Sequence, residues 1–256
     1  TLPFPGGNYL NPWFFNYNGR SDYALSLTMY DILDNMGDER VSVFGSNATA
    51  FPYGLDRAEA VIFDGSVGGN YARVLDPSLR TESSDLVIVN AATSLLAVAE
   101  ASVRGWVTGV NAAALYATAI QQSYSQWGLG SASSQITNSS TNFTSGSGGG
   151  TDIGYYAVAP SIVGSDANTT SQLERIQLQR YIAHYPDGIQ AWCEWRRTGV
   201  PNLVPTSFAP TGAEIPRRYV YATNEYSLNP TGVSGGLSDL TPNDDVQTSR
   251  MWWDKP

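Results

Sequence analysis

The chain has 256 residues, of which 42% are hydrophobic, 12% aromatic and 14% charged, so it has enough apolar surface for a packed core and a length that one domain can reach. Asp and Glu number 23 against 14 Lys and Arg, a formal net charge of −9, which on average repels phosphate backbones and anionic lipid headgroups. One cysteine, Cys193, and one histidine, His184, exclude an intrachain disulfide and disfavour a zinc centre. We therefore expect a single globular domain over residues 1–256 with no nucleic-acid partner.

The sequence contains no segment that is expected to cross a membrane. Its most apolar stretch, residues 85–103, is interrupted by Asn90, Thr93 and Glu100, so it does not supply the roughly 18 to 20 apolar residues that a bilayer requires. The N-terminal sequence TLPFP has neither an initiator Met nor a signal-peptide pattern, so we expect either a processed chain or an expressed fragment.

The first 83 residues predict one helix between two loop regions. Residues 1–19 are rich in Pro, Gly, Asn and aromatic residues without a period, which is typical of an ordered loop held by its rings. Apolar residues from Leu25 to Met36 recur at spacings of three and four after the cap candidates Ser21 and Asp22, which predicts a helix over 22–36. Residues 38–83 return to loop chemistry with room for two short strands at most.

Residues 84–128 show the strongest periodicity and predict an antiparallel helical hairpin. Ser84 and Asn111 are the expected N-caps of its two helices, and alanines make the facing sides thin enough for close approach. The shape is that of a tetratricopeptide-type repeat unit, although the Trp-Leu-Gly-Tyr signature and a second copy are absent from the sequence.

The remainder of the chain predicts a flexible loop, two helices and an extended tail. Residues 130–150 are almost all Gly, Ser, Thr, Asn and Ala, so we expect a mobile surface loop. Ser171 and Glu174 form a capping box before a helix, the sequence at 186–188 ends that helix, and a shorter helix follows over 189–197. Dense prolines from residue 202 onward favour extended chain wrapped on the helices.

Carboxylates are plentiful, but their spacing indicates no catalytic or metal centre. The pairs Asp38–Glu39 and Asp244–Asp245 lack the alternating oxygen spacing of a calcium loop, so we predict no metal site. A loop-rich helical glycoside hydrolase remains an alternative, because any two of the 23 acidic residues could face each other across a cleft. The 15 Tyr and seven Trp in loop-rich surroundings point to sugar binding, since flat rings stack on sugar faces. The same rings could instead pin the loops to the helices.

One long motif carries a family resemblance. The run GIQAWCEWRRTGVP at residues 188–201 resembles the G-x-x-A-W-x-E-W-R-R-T-G-x-P motif of the SusD/RagB family of outer-membrane nutrient-binding lipoproteins. Three further blocks agree in order: EASVRGW at 100–106, IPRRYVY with NEY at 215–226, and RMWWD at 250–254. The similarity extends from about Asn16 to Lys255.

The resemblance implies a mainly helical fold of tetratricopeptide-like hairpins with long ordered loops. It also implies a lipid-anchored protein on the outer surface of the outer membrane, which captures a glycan, or in some members a peptide, and covers a TonB-dependent transporter of the SusC type. It implies no catalysis and no cofactor. Family members are considerably longer, so we expect this chain to be their C-terminal part, without the lipid-bearing cysteine and most of the repeat helices.

The shared motifs are expected to hold the fold rather than the ligand. Planar guanidinium groups can tie loop carbonyls and carboxylates to helix ends, and the arginines concerned are Arg196, Arg197, Arg217 and Arg218. The tryptophans of the same blocks are expected to be largely buried, and they are Trp192, Trp195, Trp252 and Trp253.

Ligand specificity is expected to reside in variable loops outside these motifs. The candidates are aromatic or amide side chains in Gly-rich or Pro-rich surroundings: Trp13, Tyr17, Tyr53, Asn70 and Tyr71.

Overall fold

The computed structural model describes residues 1–45, 49–137, 167–203 and 214–254. These residues contain eleven α-helices, one 3-10 helix and isolated β-bridges but no named strand. The α-helices are α1 Pro12–Tyr17, α2 Leu27–Asn35, α3 Val41–Phe44, α4 Arg57–Val67, α5 Ala91–Val103, α6 Ala112–Gln126, α7 Ser133–Thr137, α8 Ala167–Ala183, α9 Gly188–Thr198, α10 Glu225–Leu228 and α11 Pro230–Ser238. The expected mainly helical fold is therefore confirmed.

The predicted hairpin is present as α5 and α6, which pack against each other, with α8 packed on α5. Asn90 and Asn111 cap the two helices by accepting hydrogen bonds from Thr93 and Ala114, so the first helix begins later than the expected cap Ser84. Buried alanines such as Ala92, Ala99 and Ala119 allow the close approach. The arrangement is that of a tetratricopeptide-type helix pair.

The N-terminal half is more helical than the sequence indicated. The predicted loop over 1–19 contains α1, capped by Asn11, and the region 38–83 contains α3 and α4 instead of strands. In α4 the Asp56 carboxylate accepts a hydrogen bond from the backbone of Glu59, and Gly68 ends the helix in a left-handed conformation. Helix α2 begins after Ser26, five residues later than predicted.

Helix boundaries also differ in the second half. Helix α8 begins at Ala167, so the expected capping box at Ser171 lies inside the helix, and the prediction of its start was wrong. Within the predicted flexible loop 130–150, α7 occupies Ser133–Thr137 and the side chain of Gln135 is buried; positions 138–150 lie outside the described residues. The tail contains the short helices α10 and α11.

Two hydrophobic cores join these elements. The first lies beneath α2 and α3 and includes Ile32, Phe44 and Trp127. The second lies between α5, α6 and α8 and includes Leu96, Tyr116 and Ile176.

A fully buried ion pair connects the two cores. The guanidinium of Arg40 bonds to the carboxylate of Asp38, to Ser123 on α6 and to Gln179 on α8. The hydroxyl of Tyr124 donates to the same Asp38 carboxylate at 3.1 Å. The pair therefore fixes the α2–α3 region to the helical hairpin through buried polar contacts.

A second buried carboxylate gathers three of the arginines. Glu100 accepts from Arg104, Arg180 and Arg197, and Glu194 pairs with the last two of these. Burial by itself raises the pKa of Glu100, but the hydrogen bonds and charges of Arg197 and Arg104 outweigh it and hold the pKa at about 2. The network ties α5 to α8 and α9.

The C-terminal motif residues make fold contacts, with one exception. Arg196 lies against the rings of Trp192 and Trp253 and donates to the carbonyl of Arg217. Trp195 is buried, but Trp252 is 73% exposed, so its expected burial was wrong. The motif indicates a tryptophan at this position, but it does not indicate how deeply the side chain is buried.

None of the described helices is both long enough and apolar enough to cross a bilayer.

Candidate functional site

An open cavity of about 490 Å³ lies beside α4. We refer to it as cleft one. It is lined by Ser21, Asp22, Ala24, Ser26, Phe51, Tyr53, Ala60, Asp64, Gly69, Tyr71 and Arg73.

Backbone hydrogen bonds bring the separate segments of cleft one together. The backbone N–H of Leu25 donates to the carbonyl of Ala72, and the N–H of Phe51 donates to the carbonyl of Leu25. The N–H of Leu27 donates to the carbonyl of Phe51 at 2.8 Å. Three stretches that are distant in sequence are therefore joined along one wall of the cavity.

The apolar wall of cleft one is an aromatic cluster. The ring of Phe51 meets those of Phe63 and Tyr71 edge-on, each with 5.5 Å between ring centres. Tyr71 is 8% exposed, whereas Tyr53 is 36% exposed. Tyr53 consequently offers accessible ring surface of the kind on which a sugar face stacks.

Charged groups stand beside these rings. The hydroxyl of Tyr71 donates to Oδ1 of Asp64 at 2.7 Å, and burial together with this carboxylate raises the pKa of Tyr71. Arg73 lies over the Tyr71 ring, 5.1 Å from its centre, and donates to the carbonyls of Ser21 and Gly69. Asp22 pairs with Arg20 at the rim. Cleft one thus combines an apolar face with hydrogen-bond donors and acceptors.

A second open cavity of about 430 Å³, cleft two, lies next to α1. It is lined by Phe14, Tyr17, Pro77, Arg80, Thr81, Glu82 and Ser83. The guanidinium of Arg80 lies 3.9 Å from the centre of the Tyr17 ring and donates through Nε to the carbonyl of Leu75.

The five residues predicted as ligand contacts are divided between these places. Tyr53 and Tyr71 share cleft one, and Tyr17 lines cleft two. Asn70 is exposed between Gly69 and Tyr71, next to the lining of cleft one. Trp13 is half-buried and packs against the first core.

Six polar or aromatic residues that line cleft one were not predicted from the sequence as ligand contacts: Ser21, Asp22, Ser26, Phe51, Asp64 and Arg73. Asp64 was missed because the apolar residues before it suggested a strand. The cap pattern Asp56-x-x-Glu59 with Gly68 after it would have indicated the helix that carries Asp64. Phe51 and Arg73 reach the cavity through long-range pairing that local sequence does not encode.

Among the described residues, no group of three or more His, Cys, Asp or Glu side chains is arranged to hold a metal ion.

The α5–α6 hairpin with α8 packed on α5 places the protein in the class of mainly helical proteins with tetratricopeptide-type helix pairs. The family profile described as "SusD-like: Susd and RagB outer membrane lipoprotein" matches residues 4–254. The chain belongs to the SusD/RagB family. No curated protein matches it.

Solved SusD homologues have a similar fold. A structure described as a chitin-binding SusD homologue from Flavobacterium johnsoniae has a TM-score of 0.71 at 24% identity, covering 96% of this chain and 52% of that one. A SusD homologue from Bacteroides vulgatus ATCC 8482 has a TM-score of 0.62 at 26% identity, covering 89% of this chain and 48% of that one. A SusD homologue from Bacteroides thetaiotaomicron VPI-5482 has a TM-score of 0.70 at 23% identity, covering 94% of this chain and 54% of that one. This chain therefore spans about half the length of each.

Proposed function

We propose that the protein captures a neutral oligosaccharide in cleft one and does not cleave it. The observation that carries the proposal is the lining of the cleft, which combines the accessible Tyr53 ring with the Asp64 carboxylate and the Arg73 guanidinium. A pyranose presents an apolar face and a rim of hydroxyls, which match a ring flanked by an acceptor and a donor. Family membership and the chitin-binding neighbour support a carbohydrate ligand.

The acidic character of the protein favours neutral ligands. Asp22 and Asp64 line the cleft together with one arginine, Arg73, and the whole chain has a formal net charge of −9. Both favour a neutral chain over a sulfated or uronic one. Each sugar hydroxyl that leaves water for the protein contributes only about 0.5 to 1.5 kcal/mol, so we expect dissociation constants from roughly micromolar to millimolar.

Calorimetric titration with chitin-derived, cellulose-derived and starch-derived oligosaccharides tests this proposal. We expect at least one series to bind, and Tyr53→Ala to weaken that binding about tenfold, since stacking on one ring contributes roughly 0.5–1.5 kcal/mol beyond the buried area. Trp106→Ala is the matched control, because it removes an exposed ring that lines neither cleft. Equal affinities of the wild type and Tyr53→Ala for every series that binds would reject cleft one as the capture site.

A glycoside hydrolase is the competing function, because cleft one holds two carboxylates. A glycosidase needs one carboxyl as a proton donor, whereas Asp22 pairs with Arg20 and Asp64 accepts the Tyr71 hydroxyl. We expect no release of reducing ends when the protein is incubated with the oligosaccharides that it binds. If the wild type releases reducing ends and Asp64→Asn does not, the protein is a hydrolase.

The same proposal extends to the cellular setting. As a SusD/RagB family member, the full-length form is proposed to be lipid-anchored on the outer surface of the outer membrane and to deliver its ligand to a SusC-type TonB-dependent transporter. Affinity purification of the lipidated full-length protein from outer membranes should recover a transporter barrel. Recovery of no barrel protein would contradict this partnership while leaving glycan capture untouched.

A further inference from the structure

Cleft two holds two opposite charges that do not pair with each other. Arg80 and Glu82 both line it, yet no ion pair joins them. In the described part of the chain, the Glu82 side chain has no hydrogen-bond partner, and Arg80 uses only its Nε, toward the Leu75 carbonyl. The terminal amino groups of Arg80 and the carboxylate of Glu82 are therefore available to a ligand.

These two groups flank an aromatic wall. Tyr17 lies under the Arg80 guanidinium at 3.9 Å, and Phe14 lines the same cleft. The hydroxyl residues Thr81 and Ser83 complete the lining. Cleft two thus repeats the composition of cleft one, with tyrosine, arginine, carboxylate and hydroxyl groups around one opening.

The two clefts adjoin at the segment 17–24. The Tyr17 hydroxyl donates to the carbonyl of Tyr23 at 2.8 Å, and the two ring centres are 6.4 Å apart. Asp22 and Ala24, the neighbours of Tyr23 in sequence, line cleft one. Tyr23 is 50% exposed, so the segment that links the two clefts carries a further accessible ring.

We propose that cleft two is a second subsite for the same ligand, so that the protein takes a linear oligosaccharide extending from cleft one past Tyr23 into cleft two. The inference rests on the proposed function, because a glycan must first occupy cleft one. Sugar units held in both clefts by one chain bind with an effective concentration that separate short sugars lack. The ligand class is therefore an extended chain rather than a mono- or disaccharide.

The test is a length series for each variant. N-acetylglucosamine oligomers, cello-oligosaccharides and malto-oligosaccharides of one to eight units are titrated into the wild type, Tyr53→Ala, Glu82→Ala, Ser83→Trp and Ser94→Trp. Glu82→Ala removes the free acceptor and Ser83→Trp fills cleft two, whereas the exposed Ser94 on α5 lines neither cleft. Glu82, Ser83 and Ser94 are exposed, so we expect their three variants to keep the thermal midpoint of the wild type.

For the wild type we expect affinity to rise at least about tenfold from the disaccharide to the hexasaccharide. Glu82→Ala and Ser83→Trp should bind disaccharides like the wild type and lose most of that rise, and Ser94→Trp should keep it. A wild type without the rise, or a rise that survives both cleft-two variants, overturns the second subsite and leaves capture at cleft one intact. If Tyr53→Ala binds every length like the wild type, the proposed capture site itself is wrong, and this inference falls with it. Binding of none of the three series overturns both.

Discussion

Replacing Tyr53 and Tyr71 by alanine separates the two roles that a ring at cleft one can have. Tyr71 is 8% exposed, meets Phe51 edge-on and donates its hydroxyl to Asp64. Truncation of a buried aromatic side chain costs about 3 to 5 kcal/mol, and this one also loses a hydrogen bond. Tyr53 is 36% exposed, so its truncation should cost less, about 1 to 2 kcal/mol.

Thermal unfolding with parallel titration measures both effects. For a chain of this size, about 3 kcal/mol lowers the midpoint by roughly 6 to 12 °C and about 1 kcal/mol by roughly 2 to 4 °C. We expect Tyr71→Ala to show the larger drop, and Tyr53→Ala to show the smaller drop with about tenfold weaker glycan binding. Similar large losses of stability in both variants, with unchanged binding by the folded fraction, would mean that Tyr53 anchors a loop and that the platform assignment is wrong.

Three further changes test the electrostatic reasoning. The pKa of Glu100 lies at about 2 against an ordinary value of 4.5, so the carboxylate contributes about 3 kcal/mol to stability that is present above pH 4.5 and lost as the pH falls toward 2. Urea unfolding of Glu100→Gln should show this loss at neutral pH, and the free energy of unfolding should depend less on pH in the acid range. The exposed Glu39→Gln is the control and should be unchanged. Arg40→Met leaves Asp38 buried without its partner and should cost about 3 to 5 kcal/mol in the same assay. Asp64→Asn should improve binding of uronic oligosaccharides about three- to fivefold relative to neutral ones of equal length. If the ratio of uronic to neutral affinity is the same in the wild type and in Asp64→Asn, Asp64 does not contribute to the choice of ligand.

Where sequence reasoning succeeded, local signals and burial agreed. Helices α5 and α6 combine an apolar stripe with asparagine caps, and the residues of that stripe form the second core. Helix α4 was missed because its residues Val61 and Ile62 are exposed. When apolar residues lie on the exposed side of a helix, the sequence does not show the i, i+3, i+4 pattern of a buried face. The capping residues were therefore the better signal.

The candidate site was predicted only in part, because some of its residues meet only in the tertiary fold. Tyr53 and Tyr71 could be selected as aromatic residues in turn-rich surroundings, and they share cleft one. Asp64 and Arg73 reach the same mouth only because residues near 25, 51 and 72 are joined by backbone hydrogen bonds. Such convergence depends on the tertiary fold, and no local spacing in the sequence encodes it.

Rings that support the loops also limit the cost of binding. Tyr17 holds two backbone groups through its hydroxyl, and Tyr71 packs within an aromatic cluster while bonding to Asp64. The loops that carry the clefts are therefore ordered before ligand arrives, and they are continuous with the core that the Asp38–Arg40 pair fixes to the hairpin. Because preordered side chains lose little rotamer freedom on binding, a shallow cleft with few hydrogen bonds can still hold a sugar. The anchoring and binding roles that the sequence left as alternatives therefore fall to different rings according to exposure: Tyr71 anchors, and the accessible Tyr53 is the ring proposed to stack on a sugar.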